Sequence, residues 1–518
     1  MTRHSFRSPS LLQNLMPFVQ PAAFSALFAV AGAGLACGSG SDVNTPASGG
    51  QKPAAGGSAT TSGGSSAGGA GPGTGGTTAN GGTLGGVAGS ATGGTAPIAG
   101  SGGSGIAGGV GVAGSGAGGA GGATSGAGGG SSSGGTGAGG GGATHWVGTW
   151  TASPYETADN GKPPLPLANA VARQVTHASL GGGRIRVQFT NKLGTTPLVI
   201  KAAHVALCKA MPLVDGSIDT ATDKALAFSG MPGVSIPAGA ELWSDALDFA
   251  LPALGNVSIT TAFGSVPSEI TSHNGARTDS YVKAASTDVS VANLTSADHN
   301  QHWWFITGMD VMAPAAAKGI VAIGDSVTDG RGVDPNANNR WTDILAARLQ
   351  GNAATVNVSI MNQGIGATNL IGSANNAAQG RFARDVLAQS GVKYVIIYDG
   401  VNDIGGGAMT PALKSAYQAM ISAAHDKGLL VYGGTIMPFN GYSYYSVDHE
   451  KTRQEINTFI RSGAFDGVLD FDAALTDGMT PPSLQAAFAQ WAEKDGLHPG
   501  PVGYKKMGDS IDLTLFTK

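Results

Sequence analysis

The stretch "VAIGDSVTDG", residues 321–330, places a serine directly after a run of apolar residues. A serine hydroxyl is a weak nucleophile until an adjacent base removes its proton. The segment "KDGLHPG" near the carboxyl terminus contains His498, and an imidazole is the side chain best suited to act as that base near neutral pH. Asp495 stands three residues earlier, so one short turn can hold its carboxylate against the other ring nitrogen of His498. We therefore predict that Ser326 is a nucleophile, that His498 is its base and that Asp495 orients the base.

Two further polar segments follow apolar runs, "NQGIGATN" from Asn362 and "DGVND" from Asp399. Attack on an acyl carbonyl needs hydrogen-bond donors for the negative charge that develops on its oxygen. A glycine at position 364 lets a backbone N–H approach closely, and the side-chain amide of Asn402 can also donate. Each segment alone could equally be a helix cap or a turn. Their occurrence together, each after an apolar run, favours a single catalytic site.

The segments lie within an alternation of strand and helix patterns. Strands are predicted at "GIVAIG", "TVNVSIMN", "KYVIIYDG", "LLVYGGTIM" and "GVLDFDAAL". Helices are predicted at "RWTDILAARLQ", "RFARDVLAQSG", "TPALKSAYQAMISAAHDKG" and "EKTRQEINTFIRSG", with a last helix over residues 501–515. Such alternation predicts a parallel sheet covered by helices on both faces. Ligands bind beyond the carboxyl ends of such strands, where Ser326 would lie.

The preceding residues have a β pattern. "RIRVQFT" alternates polar and apolar residues, and "PLVIKAAHVAL", "GVSIPAG" and "NVSITTAF" are further short strands bounded by turn residues. "HWWFITGMDV", residues 302–311, is predicted as the last strand. We predict a β-sandwich or jelly-roll domain over residues 144–312, followed by a catalytic domain over residues 313–518.

The amino terminus has the features of an export signal. Arg3 and Arg7 precede the apolar segment Ala22 to Ala36, which is shorter than the roughly 20 residues of a membrane span. It leads into Cys37 through "GLA", which resembles the lipobox of bacterial lipoproteins, although leucine stands two rather than three positions before the cysteine. The resemblance implies a signal peptide over residues 1–37 and lipidation at Cys37. An ordinary secretory signal is the alternative.

Residues 38–143 consist almost entirely of Gly, Ala, Ser and Thr. Such a segment cannot bury enough apolar surface to offset its ordering entropy, so we predict a disordered tether. A glycine-rich coil of this length has a root-mean-square span of about 55 to 60 Å. If it follows a lipid anchor at Cys37, the tether would hold a catalytic domain clear of a membrane, which is the only membrane contact predicted.

Composition argues against several other functions. The net charge of −4 and the absence of a run of Lys and Arg give no indication of a nucleic-acid partner. With only 2 cysteines, one of them Cys37, no disulfide framework is expected. His299 and His302 have no third ligand nearby in sequence, so no metal site and no cofactor are predicted.

From about Gly319 to Lys518 the sequence resembles the SGNH (GDSL-type) hydrolases. The resemblance rests on "GDSVTDG" from Gly324, on the "NQG" that ends at Gly364, on "GVND" and on "DGLH". It implies a three-layer α/β/α, flavodoxin-like fold and a metal-free Ser326–His498–Asp495 mechanism. The implied oxyanion donors are the Ser326 and Gly364 N–H groups and the Asn402 side chain. Val327 replaces the leucine of the name motif, a change that touches no catalytic atom. The β region, with "WVGTW", more loosely resembles the amino-terminal domain of a secreted subgroup that includes carbohydrate esterases.

These patterns predict an exported serine esterase. A tethered catalytic domain suits an extracellular polymer, so removal of acetyl or other small acyl groups from polysaccharide is the first hypothesis. A lipase or arylesterase, or an acyltransferase, could use the same residues. A different class also stays open, in which the β region is a surface carbohydrate-binding module and the hydrolase domain is incidental. Aromatic residues that could contact sugar or acyl groups, or simply pack, are Trp146, Trp150, Trp303, Trp304, Tyr442, Tyr444 and Tyr445.

Overall fold

The computed structural model describes residues 143–157, 161–211, 213 and 215–518, all of which belong to one compact unit. The predicted signal peptide, Cys37 and the predicted linker up to residue 142 lie outside the described residues. Among the described residues, no helix is both long enough and apolar enough to cross a membrane.

The β region is built from short strands. In chain order they are β1 Thr144–Thr151, β2 Tyr155–Glu156, β3 Ala170–His177, β4 Gly182–Thr190, β5 Leu198–Leu207, β6 Lys224–Ala225, β7 Val234–Ile236, β8 Glu241–Trp243, β9 Leu247–Leu251, β10 Asn256–Phe263, β11 Thr271–His273, β12 Ser280–Ala284, β13 Asp298–Asn300, β14 Trp303–Trp304 and β15 Ile306–Pro314.

These strands pair antiparallel in three sheets. One sheet has the order β1-β15-β4-β8, with β9 beside β4, and a second has the order β13-β12-β3-β10-β5-β6, with β7 beside β5. A short third sheet has the order β14-β11-β2. The alternation in "RIRVQFT" buries Ile185, Val187 and Phe189, and these side chains share one core with residues of the second sheet such as Ile259. The two larger sheets therefore bury their apolar faces together.

The predicted strand over residues 302–311 is broken into two pieces. Phe305 has φ 60°, a left-handed conformation that ends β14, and β15 starts at the next residue. The indole N–H of Trp303 donates to Val175 O at 2.8 Å, and that of Trp304 donates to Gly161 O at 3.1 Å. Both rings are buried, as is Trp150, so these tryptophans pack in the core and are not exposed to stack on a sugar.

The second part of the chain alternates strands and helices. The strands are β16 Lys318–Gly324, β17 Val358–Gly364, β18 Val392–Tyr398, β19 Leu430–Gly434 and β20 Gly467–Leu469. The helices are α1 Ser326–Asp329, α2 Trp341–Gln350, α3 Ala378–Phe382, α4 Val401–Gly405, α5 Thr410–His425, α6 Val447–Phe459, α7 Phe471–Leu475 and α8 Pro501–Ser510. Turns of π-helix, Ala383–Leu387 and Ile460–Ala464, extend α3 and α6.

The five strands form one parallel sheet in the order β17-β16-β18-β19-β20. In chain order this is 2-1-3-4-5, the flavodoxin-like order. All five predicted strands are present, but the fifth, "GVLDFDAAL", is a strand only over Gly467–Leu469, because Asp470 caps α7 and residues 471–475 are helical. The predicted last helix is wrong at its end, because α8 stops at Ser510 and Ile511 is extended. Asp512 then caps a separate 3₁₀ turn, Leu513–Phe516.

The β region packs directly on the edge strand β17. The N–H of Gly148 in β1 donates to Ser390 O at 3.0 Å, and the N–H of Ile360 in β17 donates to Ser179 Oγ at 3.0 Å. A side chain on Gly148 would overlap the sulfur of Met361, so the absence of one lets the two strands approach. The sheet edge is thus covered by the β region, which removes an exposed row of backbone groups.

A substitution at Gly324, at the end of β16, tests how closely the strands and α1 are packed there. A Cβ there would overlap Tyr398 O and Thr328 Oγ1, so Gly324→Ala should destabilise the fold by about 1 to 3 kcal/mol. Gly183 in β4 has no atom within 4 Å of its Cβ position, and Gly183→Ala is the matched control. Thermal unfolding of both variants should show a lower Tm for Gly324→Ala alone. Equal Tm values would contradict the packing at the end of β16.

Candidate active site

Ser326 is the first residue of α1, immediately beyond the carboxyl end of β16. Asp325 precedes it in an extended conformation, and its Oδ1 accepts the N–H of Val327 at 2.9 Å. This N-cap fixes the start of the helix. The helix ends after a single turn at Gly330, whose φ of 95° few residues other than glycine adopt readily. Ser326 is consequently held at the edge of the sheet on a short, capped turn.

His498 and Asp495 form one turn that closes on Ser326. The serine Oγ lies 2.7 Å from His498 Nε2, and His498 Nδ1 lies 2.6 Å from Asp495 Oδ2. The other carboxylate oxygen, Oδ1, accepts the N–H groups of Leu497 at 3.0 Å and of His498 at 2.9 Å. Because one carboxylate holds both the backbone and the ring of the histidine, the imidazole orientation is fixed.

The electrostatics favour a neutral base. Burial lowers the pKa of His498, the Asp495 carboxylate opposes that change, and the charges of Arg331 and Arg277 lower the pKa further. Burial acts to raise the pKa of Asp495, but the hydrogen bonds from His498 hold it below its usual range. With Nδ1 donating to the carboxylate, Nε2 carries the free lone pair that faces Ser326.

Two aromatic rings shield this histidine. Trp491 and Tyr442 meet the imidazole edge-on, with ring centroids at 5.9 Å and 6.3 Å. Tyr442 in turn meets Tyr444 edge-on at 4.8 Å. Tyr442 and Tyr444 therefore form a tyrosine wall beside His498. This position favours the interpretation that the two side chains line the acyl or sugar pocket.

Asn402 reaches the same edge of the sheet from the first turn of α4. One of its amide hydrogens is used, because Nδ2 donates to Thr368 O at 2.7 Å. Its Oδ1 accepts the Tyr444 hydroxyl at 3.2 Å, which fixes the amide orientation. The neighbouring Asp403 accepts the N–H groups of residues 370 and 371 at 2.7 and 3.0 Å. The second amide hydrogen of Asn402 is left for a ligand.

Gly364 does not have the predicted geometry of an oxyanion donor. Its N–H donates to Asn362 Oδ1 at 2.8 Å and is therefore already engaged. A Cβ at this position would overlap the backbone of α1, with Thr328 C at 2.6 Å, so the glycine serves close packing. The next residues are better placed, since a Cβ on Gly366 would lie 3.9 Å from Ser326 Cβ. Ala367 has a φ of 61°, and neither N–H makes a hydrogen bond within the described part of the chain.

Two buried carboxyl groups lie behind the nucleophile. Asp325 and Asp399 both line a cavity of about 10 Å³, which is about one water molecule in size. Asp399 Oδ1 accepts the Gly400 N–H at 2.7 Å, whereas its Oδ2 is buried without a partner among the described residues. Burial raises the pKa of both groups, the charge of Asp403 raises both further, and the charge of Asp325 also raises the pKa of Asp399. The pair therefore tends to retain a proton.

A third buried carboxylate belongs to Asp329, for which the sequence patterns indicated no functional role. Its Oδ1 lies 2.9 Å from His273 Nε2, and its Oδ2 accepts a hydrogen bond from Arg277 at 3.2 Å. Burial acts to raise its pKa, but Arg277, His273 and Arg340 together lower it below the usual range. His273 and Arg277 belong to the β region, and nothing in their local sequence pattern points to a carboxylate that follows them by 56 and 52 residues in the chain.

The histidines considered as metal ligands have other surroundings. His302 Nδ1 lies 2.7 Å from Asn274 O, and His299 Nδ1 lies 3.6 Å from Asp279 Oδ1. Within the described ranges, no group of three or more His, Cys, Asp or Glu side chains is arranged to hold a metal ion.

Comparison with known proteins identifies the catalytic part. Residues 322–506 match the GDSL-like Lipase/Acylhydrolase family. A search of curated proteins found no match. Among solved structures, a member of the lipolytic protein G-D-S-L family from Veillonella parvula is 20% identical, covers 39% of this chain and 100% of its own, and has a TM-score of 0.30. A GDSL-like lipase from Bacteroides thetaiotaomicron is 19% identical over 38% of this chain and 88% of its own, with a TM-score of 0.29. An acetylxylan esterase from Geobacillus stearothermophilus is 18% identical over 37% of this chain and 91% of its own, with a TM-score of 0.30.

The family match spans α1, the segments after β17 and β18, and the turn that bears His498. This part of the chain is a GDSL-like (SGNH) hydrolase domain, and the match indicates that the protein is an ester hydrolase.

The Asp325–Asp399 pair predicts a pH-dependent stability. A carboxyl whose pKa is raised by folding keeps its proton where the unfolded chain has lost it, so stability falls as pH rises above the ordinary range of aspartic acid. Asp399→Asn removes one charge of the pair and should reduce the loss of Tm between pH 5 and pH 8. The exposed Asp298 supplies the control, Asp298→Asn, which should follow the wild type. An unchanged pH dependence in Asp399→Asn would show that the pair does not hold a proton.

Proposed function

We propose that the protein is a serine esterase that hydrolyses acyl esters, with acetyl as the preferred acyl group, by a Ser326–His498–Asp495 mechanism. The single observation that supports this proposal is the continuous chain of hydrogen bonds from Ser326 Oγ through both ring nitrogens of His498 to Asp495, at 2.7 and 2.6 Å. General-base assistance of this kind contributes roughly 10²- to 10⁴-fold to the rate.

In the first step, Ser326 Oγ attacks the carbonyl carbon of the ester while its proton passes to His498 Nε2. The imidazolium, stabilised by Asp495, then gives that proton to the oxygen of the departing alcohol, and an acyl-serine remains. In the second step, water attacks the acyl carbonyl and gives its proton to His498. The carboxylic acid leaves and Ser326 recovers its hydrogen. No metal takes part in either step of this mechanism.

The proposed oxyanion donors are the N–H of Ser326, the free amide hydrogen of Asn402 and a backbone N–H of residue 366 or 367. The last of these replaces Gly364, whose N–H is engaged by Asn362. Each such donor is worth roughly 10²- to 10³-fold in kcat. The hydroxyl of Tyr444, which donates to Asn402 Oδ1 at 3.2 Å, supports the orientation of the side-chain donor.

The preference for a small acyl group is supported by the tyrosine wall. Tyr444 bonds to Asn402, and Tyr442 packs between it and His498. A Cβ on Gly405 would overlap the Tyr444 ring, so this ring lies directly on α4. Aromatic side chains packed this close to the oxyanion donor leave little room for a long acyl chain.

We further infer export, attachment through a lipid on Cys37 and action on acylated extracellular polysaccharide. The charged and apolar pattern before Cys37 and the glycine-rich composition of residues 38–143 support these inferences. We also infer that the β region is a β-sandwich, because its two larger sheets bury one common core.

Replacement of the nucleophile should abolish hydrolysis without loss of the fold. Ser326→Ala removes only a hydroxyl that faces His498, so its Tm should stay within a few degrees of that of the wild type. Release of p-nitrophenol from p-nitrophenyl acetate should fall at least 10⁴-fold. Ser510→Ala, a change of the same kind at the end of α8, is the matched control and should keep full activity. Undiminished turnover by Ser326→Ala would exclude the mechanism.

A series of acyl lengths tests the substrate proposal. The value of kcat/KM on p-nitrophenyl esters should decrease from acetate through butyrate to octanoate. Release of acetate from acetylated xylan, measured by chromatography, should depend on Ser326. A maximum at octanoate would instead support a lipase, and the absence of acetate release from polysaccharide would remove carbohydrate as the substrate class.

A further inference from the structure

The loop between β11 and β12, residues 274–279, lies against the hydrolase domain, and we name it the clamp loop. Arg340 donates to two of its carbonyl groups, those of Gly275 at 3.2 Å and Ala276 at 2.5 Å. A Cβ on Gly275 would overlap the Asp329 carboxylate, so the loop backbone rests directly on that side chain. The clamp loop is thus fixed by hydrogen bonds to its own carbonyl groups and by close contact with Asp329.

Asn336 fixes the second half of the clamp loop. Its backbone N–H donates to Arg277 O at 2.9 Å. Its side-chain Oδ1 accepts the hydroxyl of Thr278 at 3.0 Å and the N–H of Asp279 at 2.8 Å. Arg277 has a φ of 53° in this loop, an unfavourable conformation for a side-chain-bearing residue that persists where the surroundings enforce it. The loop therefore presents Arg277 in one direction.

The side chain of Arg277 is bonded to a carboxylate that lies close to Gly366, which is itself close to the nucleophile. It donates to Asp329 Oδ2 at 3.2 Å. A Cβ built on Gly366 would lie 3.5 Å from that oxygen and 3.9 Å from Ser326 Cβ. The guanidinium therefore stands at the edge of the site.

Part of this guanidinium is free for a ligand. Only Nη2 of Arg277 makes a hydrogen bond to the described residues, and the side chain is 24% exposed. Nε is buried without a partner among the described residues, whereas Nη1 is neither fully buried nor hydrogen-bonded to them and is therefore accessible. Arg331, by comparison, is paired with Glu493 at 2.5 Å and lies over the Trp491 ring, with 5.7 Å to the centroid.

We propose that Arg277, held by the clamp loop, positions the substrate by donating hydrogen bonds to oxygen atoms of the alcohol half of the ester. The β region then forms one wall of the active site. This inference rests on the proposed function, because it assumes that an ester occupies the space beside Ser326. The matching alcohol is polyhydroxylated, a sugar with oxygen acceptors close to the ester, and not a simple aryl alcohol.

The charge of Arg277 also affects the pH dependence of kcat/KM, which a residue with a purely structural role would leave unchanged. His498 faces Ser326 and Asp495, the cations Arg331 and Arg277, and the rings of Trp491 and Tyr442. Loss of one cation should raise the pKa of the base. The acid limb of the kcat/KM profile would therefore move to higher pH in Arg277→Gln and stay in place in Arg277→Lys.

The experiment compares a sugar acetate, xylose tetraacetate, with p-nitrophenyl acetate. Arg277→Gln should raise KM for the sugar acetate about tenfold or more, since a hydrogen bond to a charged group is lost. The increase for the aryl ester should be several times smaller. The control Arg184→Gln removes an exposed arginine of the same region, paired with Asp248 at 3.4 Å, and should match the wild type on both esters and in pH profile.

If KM for the sugar acetate stays within twofold of the wild type and the acid limb does not move, the inference is overturned. If Arg277→Gln does not fold, Arg277→Lys decides, because it keeps the charge beside Asp329 but loses the planar donor group. It should raise KM for the sugar acetate and leave the pH limb unchanged, and an unchanged KM would overturn the inference. Ser326→Ala, assayed in parallel, separates the two hypotheses. If the wild type is inactive, or if Ser326→Ala is fully active, the proposed esterase mechanism is rejected. If hydrolysis depends on Ser326 but is unaffected by substitution of Arg277, only this inference is rejected.

Discussion

The burial of the Asp329 carboxylate is the constraint on which the two halves of the protein depend. A charge taken out of water is stable only when it is paired and hydrogen-bonded, and loss of one partner of such a pair typically costs about 3 to 5 kcal/mol. Its partners His273 and Arg277 come from the β region, while the carboxylate itself ends the helix that begins at Ser326. The position of the nucleophile is therefore tied electrostatically to a region that precedes the catalytic fold in the chain.

Backbone packing complements these charges. Gly364 lets β17 approach α1, and Gly275 lets the clamp loop rest on Asp329, because either side chain would overlap its neighbour. On the other side of α1, Asp325 caps the helix while it shares a small cavity with Asp399. The serine is thus held between a carboxylate kept ionised by cations and a pair in which burial favours a bound proton. A pair that keeps a proton places less negative charge behind the nucleophile, where the oxyanion of the intermediate would otherwise be repelled.

The local patterns predicted the parallel sheet and the turn of His498 well, because buried strands and a D-x-x-H spacing are encoded within a few residues. The same reasoning failed where a side-chain hydrogen bond, an unusual backbone conformation or a tertiary contact decides the structure. Gly364 was predicted as an oxyanion donor, but Asn362, two residues earlier, engages its N–H. The strand over residues 302–311 is broken at Phe305, whose conformation no local propensity indicates. The sequence pattern did not indicate a role for Arg277 or His273 either, because that role depends on a tertiary contact with Asp329, which the periodicity of apolar residues does not reveal.

Arg381 has a consequence for how such a chain is assembled. Its guanidinium donates to Gly324 O at 2.9 Å and Gln363 O at 2.6 Å, at the ends of two neighbouring strands, and to Ser153 Oγ of the β region at 3.0 Å. Chains generally fold from the amino terminus as they are synthesised. The three acceptors precede Arg381 in the chain, so the first part of the molecule can act as a template on which the later helix docks. An exchange of the leading region for an unrelated one would remove that template together with the wall it provides.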